Sequence, residues 1–78
     1  MKKNNFSNFT DYFSKKNFLI TGASSGIGRG LVKELNNLNA NTISIGRMKT
    51  IAKVHYYCDL SDQDSLDKTL LKITERFS

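Results

Sequence analysis

The stretch FLITGASSGIGRG, which runs from Phe18 to Gly30, decides the fold of this chain. Its apolar run ends at Thr21, and three glycines follow within the next seven residues. Apolar residues then recur at helical spacing from Ile27 onward. The order of these features predicts a short buried strand, a tight turn of bare backbone and an amphipathic helix.

Three segments of the chain have the composition of strands. Residues 17–21 are mostly apolar, residues 41–46 alternate between polar and apolar, and residues 54–60 are rich in β-branched and aromatic side chains. Only residues 47–53 separate the second strand from the third. An extended loop of that length reaches roughly 23 Å, more than the roughly 17 Å of a five-residue strand, so the chain can return without a crossover helix. The pattern predicts an α/β fold with a parallel sheet.

Each of the two helices is predicted from an apolar stripe. The first helix starts near Ile27 and ends between Asn36 and Asn39, and Ser61 with Asp64 forms an N-cap pattern in front of the second. The stripes that should face the sheet are Ile27, Leu31, Leu35 and Leu38 in the first helix, and Leu66, Leu70, Ile73 and Phe77 in the second.

Length, charge and cysteine content limit the classes of protein. A chain of 78 residues makes one small domain or part of a larger one. The net charge is +5, but the Lys and Arg residues are dispersed, so we favour a solvated basic surface over a nucleic-acid interface. The single Cys58 excludes an internal disulfide and fits a cytoplasmic protein. The sequence shows neither a membrane span nor a signal peptide.

Residues 1–16 differ from the rest of the chain. They are polar with interspersed aromatic side chains, a pattern that fits either a short amphipathic helix packed on the domain or a partly ordered leader. We therefore place a leader at 1–16 and the folded portion at 17–78.

The glycine-rich turn has a physical interpretation as a phosphate site. The start of a helix presents N–H groups without intrahelical partners and a partial positive charge, and a phosphate binds there if the backbone can come close. Gly22, Gly26 and Gly28 remove Cβ atoms at the turn, at the approach to the ligand and at the contact between helix and strand. Ser24 and Ser25 add hydroxyl donors. The alternative is a tight structural turn, but a strand before it and a helix after it favour dinucleotide binding.

At these residues the chain resembles the short-chain dehydrogenase/reductase family. TGASSGIG, residues 21–28, is similar to the T-G-x-x-x-G-x-G cofactor motif of its ordinary branch. The similarity runs from about Phe13 to Ser78. It implies a partial Rossmann fold, with three parallel strands in the order 3-2-1 and two helices, truncated before the fourth strand. The cofactor contacts that it implies in this motif are Thr21, Gly22, Ser24, Ser25, Gly26, Ile27 and Gly28.

The resemblance also implies which dinucleotide binds. In the family, an acidic residue at the end of the second strand accepts hydrogen bonds from the hydroxyls of the adenosine ribose and favours NAD. Here the strand ends at Gly46, and the following Arg47 can pair with a 2′-phosphate, which favours NADP(H) over NAD(H). Asp59, followed by Leu60, matches the family's Asp that faces the adenine amino group. The alternatives are a solvated Arg47 and an Asp59 that closes the third strand.

The catalytic half of the family pattern is not found in these 78 residues. Family members use a Tyr as general acid/base with a Lys four residues later, and no such pair follows the glycine motif. Tyr12 and Lys16 have the spacing but precede the first strand, so we interpret the match as chance. His55 is interpreted as a packing or edge residue, and Cys58 as a small buried residue without metal-ligand spacing. No catalytic or metal-binding residue is predicted.

Two functions stay open at this point. The first is the cofactor-binding portion of an NADP(H)-dependent oxidoreductase that acts on a carbonyl or alcohol substrate, present here as a fragment or a truncated reading frame. The second is a free-standing, non-catalytic nucleotide-binding or interaction module. We favour the first, because without a fourth strand one sheet edge and one face are open. The chain alone is predicted to be inactive. The substrate is not specified by the sequence, and association into a homo-oligomer is common in the family.

Overall fold

The computed structural model describes residues 11–77 and contains one sheet of three parallel strands flanked by two helices. The strands lie in the order β1-β2-β3, which confirms the predicted α/β fold and strand order. Residues 11–13 are helical, whereas Phe6 and Phe9 of the predicted leader lie outside the described residues. In chain order the elements are β1 (Asn17–Thr21), α1 (Gly26–Asn37), β2 (Asn41–Gly46), β3 (Val54–Tyr57) and α2 (Gln63–Phe77).

Strand β2 is the centre of the sheet and is buried on both faces. It pairs in parallel with β1 on one side and with β3 on the other. Ile43 packs in a cluster with Ile73 of α2, whereas Thr42 donates a hydrogen bond of 2.6 Å to the Asn36 side chain of α1. Because successive side chains of a strand point to opposite faces, the two helices cover opposite faces of the sheet.

Helix α1 rests on the sheet through a face that overlaps the predicted one only at Leu35. Its buried residues are Val32 and Leu35, whereas Ile27 is 93% exposed and Leu31 is 48% exposed. Gly28, Val32 and Leu35 follow the helical spacing i, i+4, i+7, and the missing Cβ at Gly28 lets this face approach the glycine-rich turn. Gly28 and Val32 each lie one residue after the predicted Ile27 and Leu31, whereas Leu35 belongs to both sets, so the packed face is rotated by less than one residue step of about 100°.

Helix α2 follows its predicted stripe more closely. Ile73 is buried, and the half-buried Leu66 and Phe77 pack against the same cluster. Leu70, however, is 36% exposed, and Thr69 is buried in its place. The hydroxyl of Thr69 donates to the Ser65 carbonyl one turn earlier, which satisfies the buried polar group within the helix.

The N-cap of α2 is Asp62 and not the predicted Ser61. One carboxylate oxygen of Asp62 accepts from the backbone N–H of Asp64 at 3.1 Å and from that of Ser65 at 3.4 Å. These are the second and third residues of a helix that begins at Gln63, which is where an N-cap side chain bonds. The Ser61 side chain is turned the other way, toward Asp59.

The loop of residues 47–53 crosses from β2 to β3 without a helix, as predicted, and is tied to the sheet by polar contacts. The Asn36 amide of α1 donates to the Ile51 carbonyl at 3.0 Å. The backbone N–H of Lys53 donates to the Thr42 hydroxyl at 2.9 Å. The loop therefore lies on the α1 side of the sheet.

Strand β3 is shorter than predicted, because the chain leaves the sheet at Tyr57. Cys58 still donates its backbone N–H to the Gly46 carbonyl at 3.0 Å, and its side chain is buried. Asp59 then opens a turn that is closed by a 3.1 Å bond from Asp62 N–H to the Asp59 carbonyl.

Among the described residues, no helix has the length and apolar character required to cross a membrane.

Candidate functional site

A groove runs across the carboxyl ends of the three strands. It consists of two adjoining clefts with volumes of about 170 and 250 Å³, which share Gly46, Arg47 and Leu60. In parallel α/β sheets, ligands bind outside this edge. The first cleft is completed by Gly22, Ala23, Ser24, Ile45, Met48 and Thr50, and the second by Cys58, Asp59 and Ser61.

The glycine-rich turn forms one wall of this groove. Gly22 and Gly26 have φ angles of +65° and +61°, in the left-handed region that side chains rarely adopt. A Cβ built at either residue would meet no atom within 4 Å, so the space beside the turn is open to a ligand. At Gly28 a Cβ would lie 2.1 Å from the Gly22 carbonyl oxygen, so this glycine permits close packing between helix and turn.

The start of α1 has the features of an anion site. Ser25 occupies the N-cap position in extended backbone conformation, but its side chain makes no capping hydrogen bond. The first turn of α1 contains no acidic residue. The N–H groups and the positive end of the helix dipole are therefore left for a negatively charged group outside the helix.

Two residues of opposite charge, Arg47 and Asp59, line the second cleft. The Asp59 carboxylate accepts from the Ser61 hydroxyl at 2.6 Å and from the Ser61 N–H at 3.0 Å. These two bonds hold the pKa of Asp59 below its ordinary value of 3.8, desolvation opposes them, and the positive charge of Arg47 adds the smallest contribution, which also lowers the pKa. The groove thus offers a guanidinium for an anion and an ionised carboxylate for a hydrogen-bond donor.

The structure brings five of the ten predicted site residues to the groove wall: Gly22, Ser24, Arg47, Asp59 and Leu60. The other five do not line it. They lie at the end of β1, at the N-cap and in the first turn of α1: Thr21, Ser25, Gly26, Ile27 and Gly28.

Several groove residues carried no signal in the sequence. Met48 and Thr50 belong to the β2–β3 loop, where no periodicity indicates which side chains turn toward the groove. Ile45 was predicted as a strand residue, and its place near the carboxyl end of β2 was the available clue. Ser61 was predicted as a helix cap.

Among residues 11–77, no group of three or more His, Cys, Asp or Glu side chains could hold a metal ion.

Comparison with known proteins gives one solved structure with a similar fold. No protein-family model matches the chain, and no curated protein matches it in sequence. The chain is similar to the ligand-free structure of the aldohexose dehydrogenase of Thermoplasma acidophilum, with a TM-score of 0.74 and 25% identity over 85% of this chain. The chain spans 27% of the length of that dehydrogenase. This likeness supports the Rossmann-like α/β fold.

Proposed function

We propose that this chain is the NADP(H)-binding portion of an oxidoreductase of the short-chain dehydrogenase/reductase type. The observation that carries the proposal is that the glycine-rich turn and Arg47 line one groove, with the uncapped start of α1 directly after the turn. The structural likeness to a dehydrogenase supports an oxidoreductase with a dinucleotide cofactor in general terms. NADP(H) and the named family rest on the residues of this chain.

The residues present fit a dinucleotide with a 2′-phosphate. Gly22 and Gly26 leave open space beside the turn, and the first N–H groups of α1 would bind the pyrophosphate there. Arg47 would pair with the 2′-phosphate, because its guanidinium is a bidentate donor for phosphate oxygens. The ionised Asp59 would accept from the adenine amino group, beside the apolar wall of Leu60.

The bound cofactor would supply hydride chemistry, while the protein's part is to bind and orient it. No Tyr-x-x-x-Lys pair follows the glycine motif in these 78 residues. We therefore expect the chain to bind the dinucleotide without turnover. A carbonyl or alcohol substrate belongs to the proposal for the whole protein.

Calorimetric titration of the 78-residue chain with NADP⁺ and with NAD⁺ tests the proposal. We expect saturable 1:1 binding of both, with NADP⁺ bound at least about tenfold more tightly, because an additional ionic pair to phosphate contributes more than about 1.4 kcal/mol. Titrations with 2′,5′-ADP and with 5′-AMP isolate the adenosine end. A folded chain that binds none of these ligands would contradict the proposal.

A further inference from the structure

A hydrogen-bonded network of polar side chains runs beneath the β2–β3 loop. Ser44, which is 0% exposed, has its hydroxyl 2.5 Å from the Thr50 hydroxyl and 2.6 Å from Nδ1 of His55. The other ring nitrogen of His55, Nε2, lies 3.1 Å from the Gly46 carbonyl oxygen. At the opposite end, the backbone N–H of Ala52 donates to the Thr50 hydroxyl at 3.1 Å.

When the imidazole is neutral, the groups at the two ends of this hydrogen-bonded network set the direction of every hydrogen bond in it. A carbonyl oxygen accepts only, so Nε2 of His55 carries the proton and donates to Gly46. Nδ1 is then an acceptor, and the Ser44 hydroxyl must donate to it. The Thr50 hydroxyl in turn donates to Ser44 and accepts from Ala52. The tautomer and the ring orientation of His55 are thus both determined by its neighbours.

The carbonyl that His55 binds belongs to the peptide group that joins Gly46 to Arg47. The same oxygen also accepts from Cys58 N–H at 3.0 Å. Two donors from the adjacent strand β3 and its end therefore hold the plane of this peptide at the point where the chain leaves β2. The starting direction of the Arg47 side chain, toward the shared part of the groove, depends on that plane.

We propose that His55 is a positioning residue for Arg47, with Ser44 and Thr50 holding its ring, and that it sets the preference of the groove for a 2′-phosphate. The inference rests on the proposed function. His55 does not line the groove, so its effect passes through the Gly46–Arg47 peptide. Loss of the His55 bond should weaken recognition of the 2′-phosphate and leave the rest of the dinucleotide unaffected.

A double-mutant cycle between His55→Phe and Arg47→Ala tests this inference. Dissociation constants for NADP⁺ and NAD⁺ are measured by calorimetry on the 78-residue chain and its variants. We expect His55→Phe to weaken NADP⁺ binding about tenfold and to change NAD⁺ binding by less than about twofold, because a charge-assisted contact is displaced. In the Arg47→Ala background, His55→Phe should have no further effect on NADP⁺. The conservative His55→Gln, which keeps an N–H donor, should retain part of the preference.

Thr69→Val is the matched control, since it removes a buried hydroxyl that bonds only within α2. It should leave the ratio of the two dissociation constants unchanged. The inference is overturned if His55→Phe weakens the binding of NADP⁺ and NAD⁺ equally. It is also overturned if His55→Phe weakens NADP⁺ binding as much in the Arg47→Ala background as in the wild type. Either result leaves the proposed function standing. A wild-type chain that binds neither dinucleotide overturns both. If His55→Phe does not fold by circular dichroism, His55→Gln and Ser44→Ala complete the same cycle, with a smaller loss of NADP⁺ affinity expected.

Discussion

At the scale of single residues, the absence of one Cβ sets how closely α1 approaches the turn before it. Gly28 and Gly30 lie in the same helix, two residues apart. A Cβ at Gly28 would lie 2.1 Å from the Gly22 carbonyl oxygen and 2.8 Å from its carbonyl carbon, whereas one at Gly30 would meet nothing within 4 Å. The two glycines should therefore respond in opposite ways to the same substitution.

We expect Gly28→Ala to lower the free energy of unfolding by about 2 kcal/mol or more, because backbone atoms of the turn must move to relieve the overlap. Gly30→Ala should raise it by about 0.5–1 kcal/mol, since alanine restricts the unfolded chain and is the better helix former. Urea unfolding followed by circular dichroism measures both. Similar effects of the same sign would show that Gly28 has no special packing role.

The ionisation of Asp59 provides a residue-scale prediction about pH. Its pKa lies below 3.8 chiefly because the Ser61 hydroxyl donates to the carboxylate. Because the pKa of Asp59 is lower in the folded state than in the unfolded state, its ionisation stabilises the fold at any pH above the unfolded-state pKa. This contribution is lost as the pH falls through the folded-state pKa. Ser61→Ala should therefore raise the pKa of Asp59 toward 3.8 and reduce the acid sensitivity that comes from this group. Carbon-13 NMR titration of the carboxyl carbon measures the shift. Ser14→Ala, which removes a hydroxyl in a different turn, should leave it unchanged.

Arg47 carries the prediction about cofactor choice. In the groove a guanidinium favours the 2′-phosphate, whereas a carboxylate at the same position repels it and can accept from ribose hydroxyls. Arg47→Asp should weaken NADP⁺ binding by about a hundredfold, since it replaces an attraction with a like-charge repulsion, and should improve NAD⁺ binding. Lys49→Asp changes the charge by the same amount two residues further along and controls for the overall field. Unchanged affinities for both dinucleotides in Arg47→Asp would exclude Arg47 from the site.

At the scale of elements, the start of α2 distinguishes two neighbouring candidate caps. Asp62 accepts from two N–H groups of the first turn, whereas Ser61 bonds Asp59. We expect Asp62→Ala to cost about 1 kcal/mol of stability and to fray the first turn of α2. Ser61→Ala should leave the amide-exchange protection of that turn intact. Amide hydrogen exchange of residues 64–66 measures the difference, and faster exchange in Ser61→Ala would instead favour the cap predicted from the sequence.

Helix α1 shows why an apolar stripe was a poor guide to the buried face. Ile27 and Leu31 are apolar at helical spacing, yet both are exposed, while Val32 and Leu35 are buried. The contact of Gly28 with the turn fixes the rotation of the helix, and glycine contributes no hydrophobic signal to a periodicity. The packed face therefore shares only Leu35 with the predicted stripe, and its contact with the turn is made at a glycine.

At the scale of the whole molecule, the described part of the chain leaves apolar surface and a strand edge open. Strand β1 lies at one end of the three-stranded sheet, and Leu19 on it is 44% exposed. On the neighbouring helix, Ile27 and Leu31 are also exposed. An open edge beside apolar side chains favours association with other chains.

We expect the 78-residue chain to be marginally stable and to associate as its concentration rises. Leu19→Lys should reduce that association, because a charge on an edge strand opposes pairing. Thr74→Lys, which adds the same charge to an exposed position of α2, should have a smaller effect. Sedimentation velocity and thermal unfolding measure these properties. A cooperative, monomeric transition above about 45 °C, the range in which ordinary mesophilic domains begin to unfold, would contradict the expectation.

The local features of this protein were determined by its sequence alone. The strand, the glycine-rich turn and the helix that follows were predictable from FLITGASSGIGRG, since apolar runs and glycine act on neighbouring backbone. The parallel sheet followed from the order of the elements and from the reach of residues 47–53, whereas the strand order 3-2-1 was implied by the family resemblance.

Only the tertiary structure decided which surfaces meet. The buried face of α1, the position of Met48 and Thr50 at the groove, and the bonds around His55 depend on contacts between different segments of the chain. Single-sequence periodicity records which side chains are apolar or polar, but not which neighbour each one finds. In this chain the rotation of α1 is set by its contact at Gly28, and the orientation of the His55 ring by Ser44 and Gly46, which lie nine or more residues away.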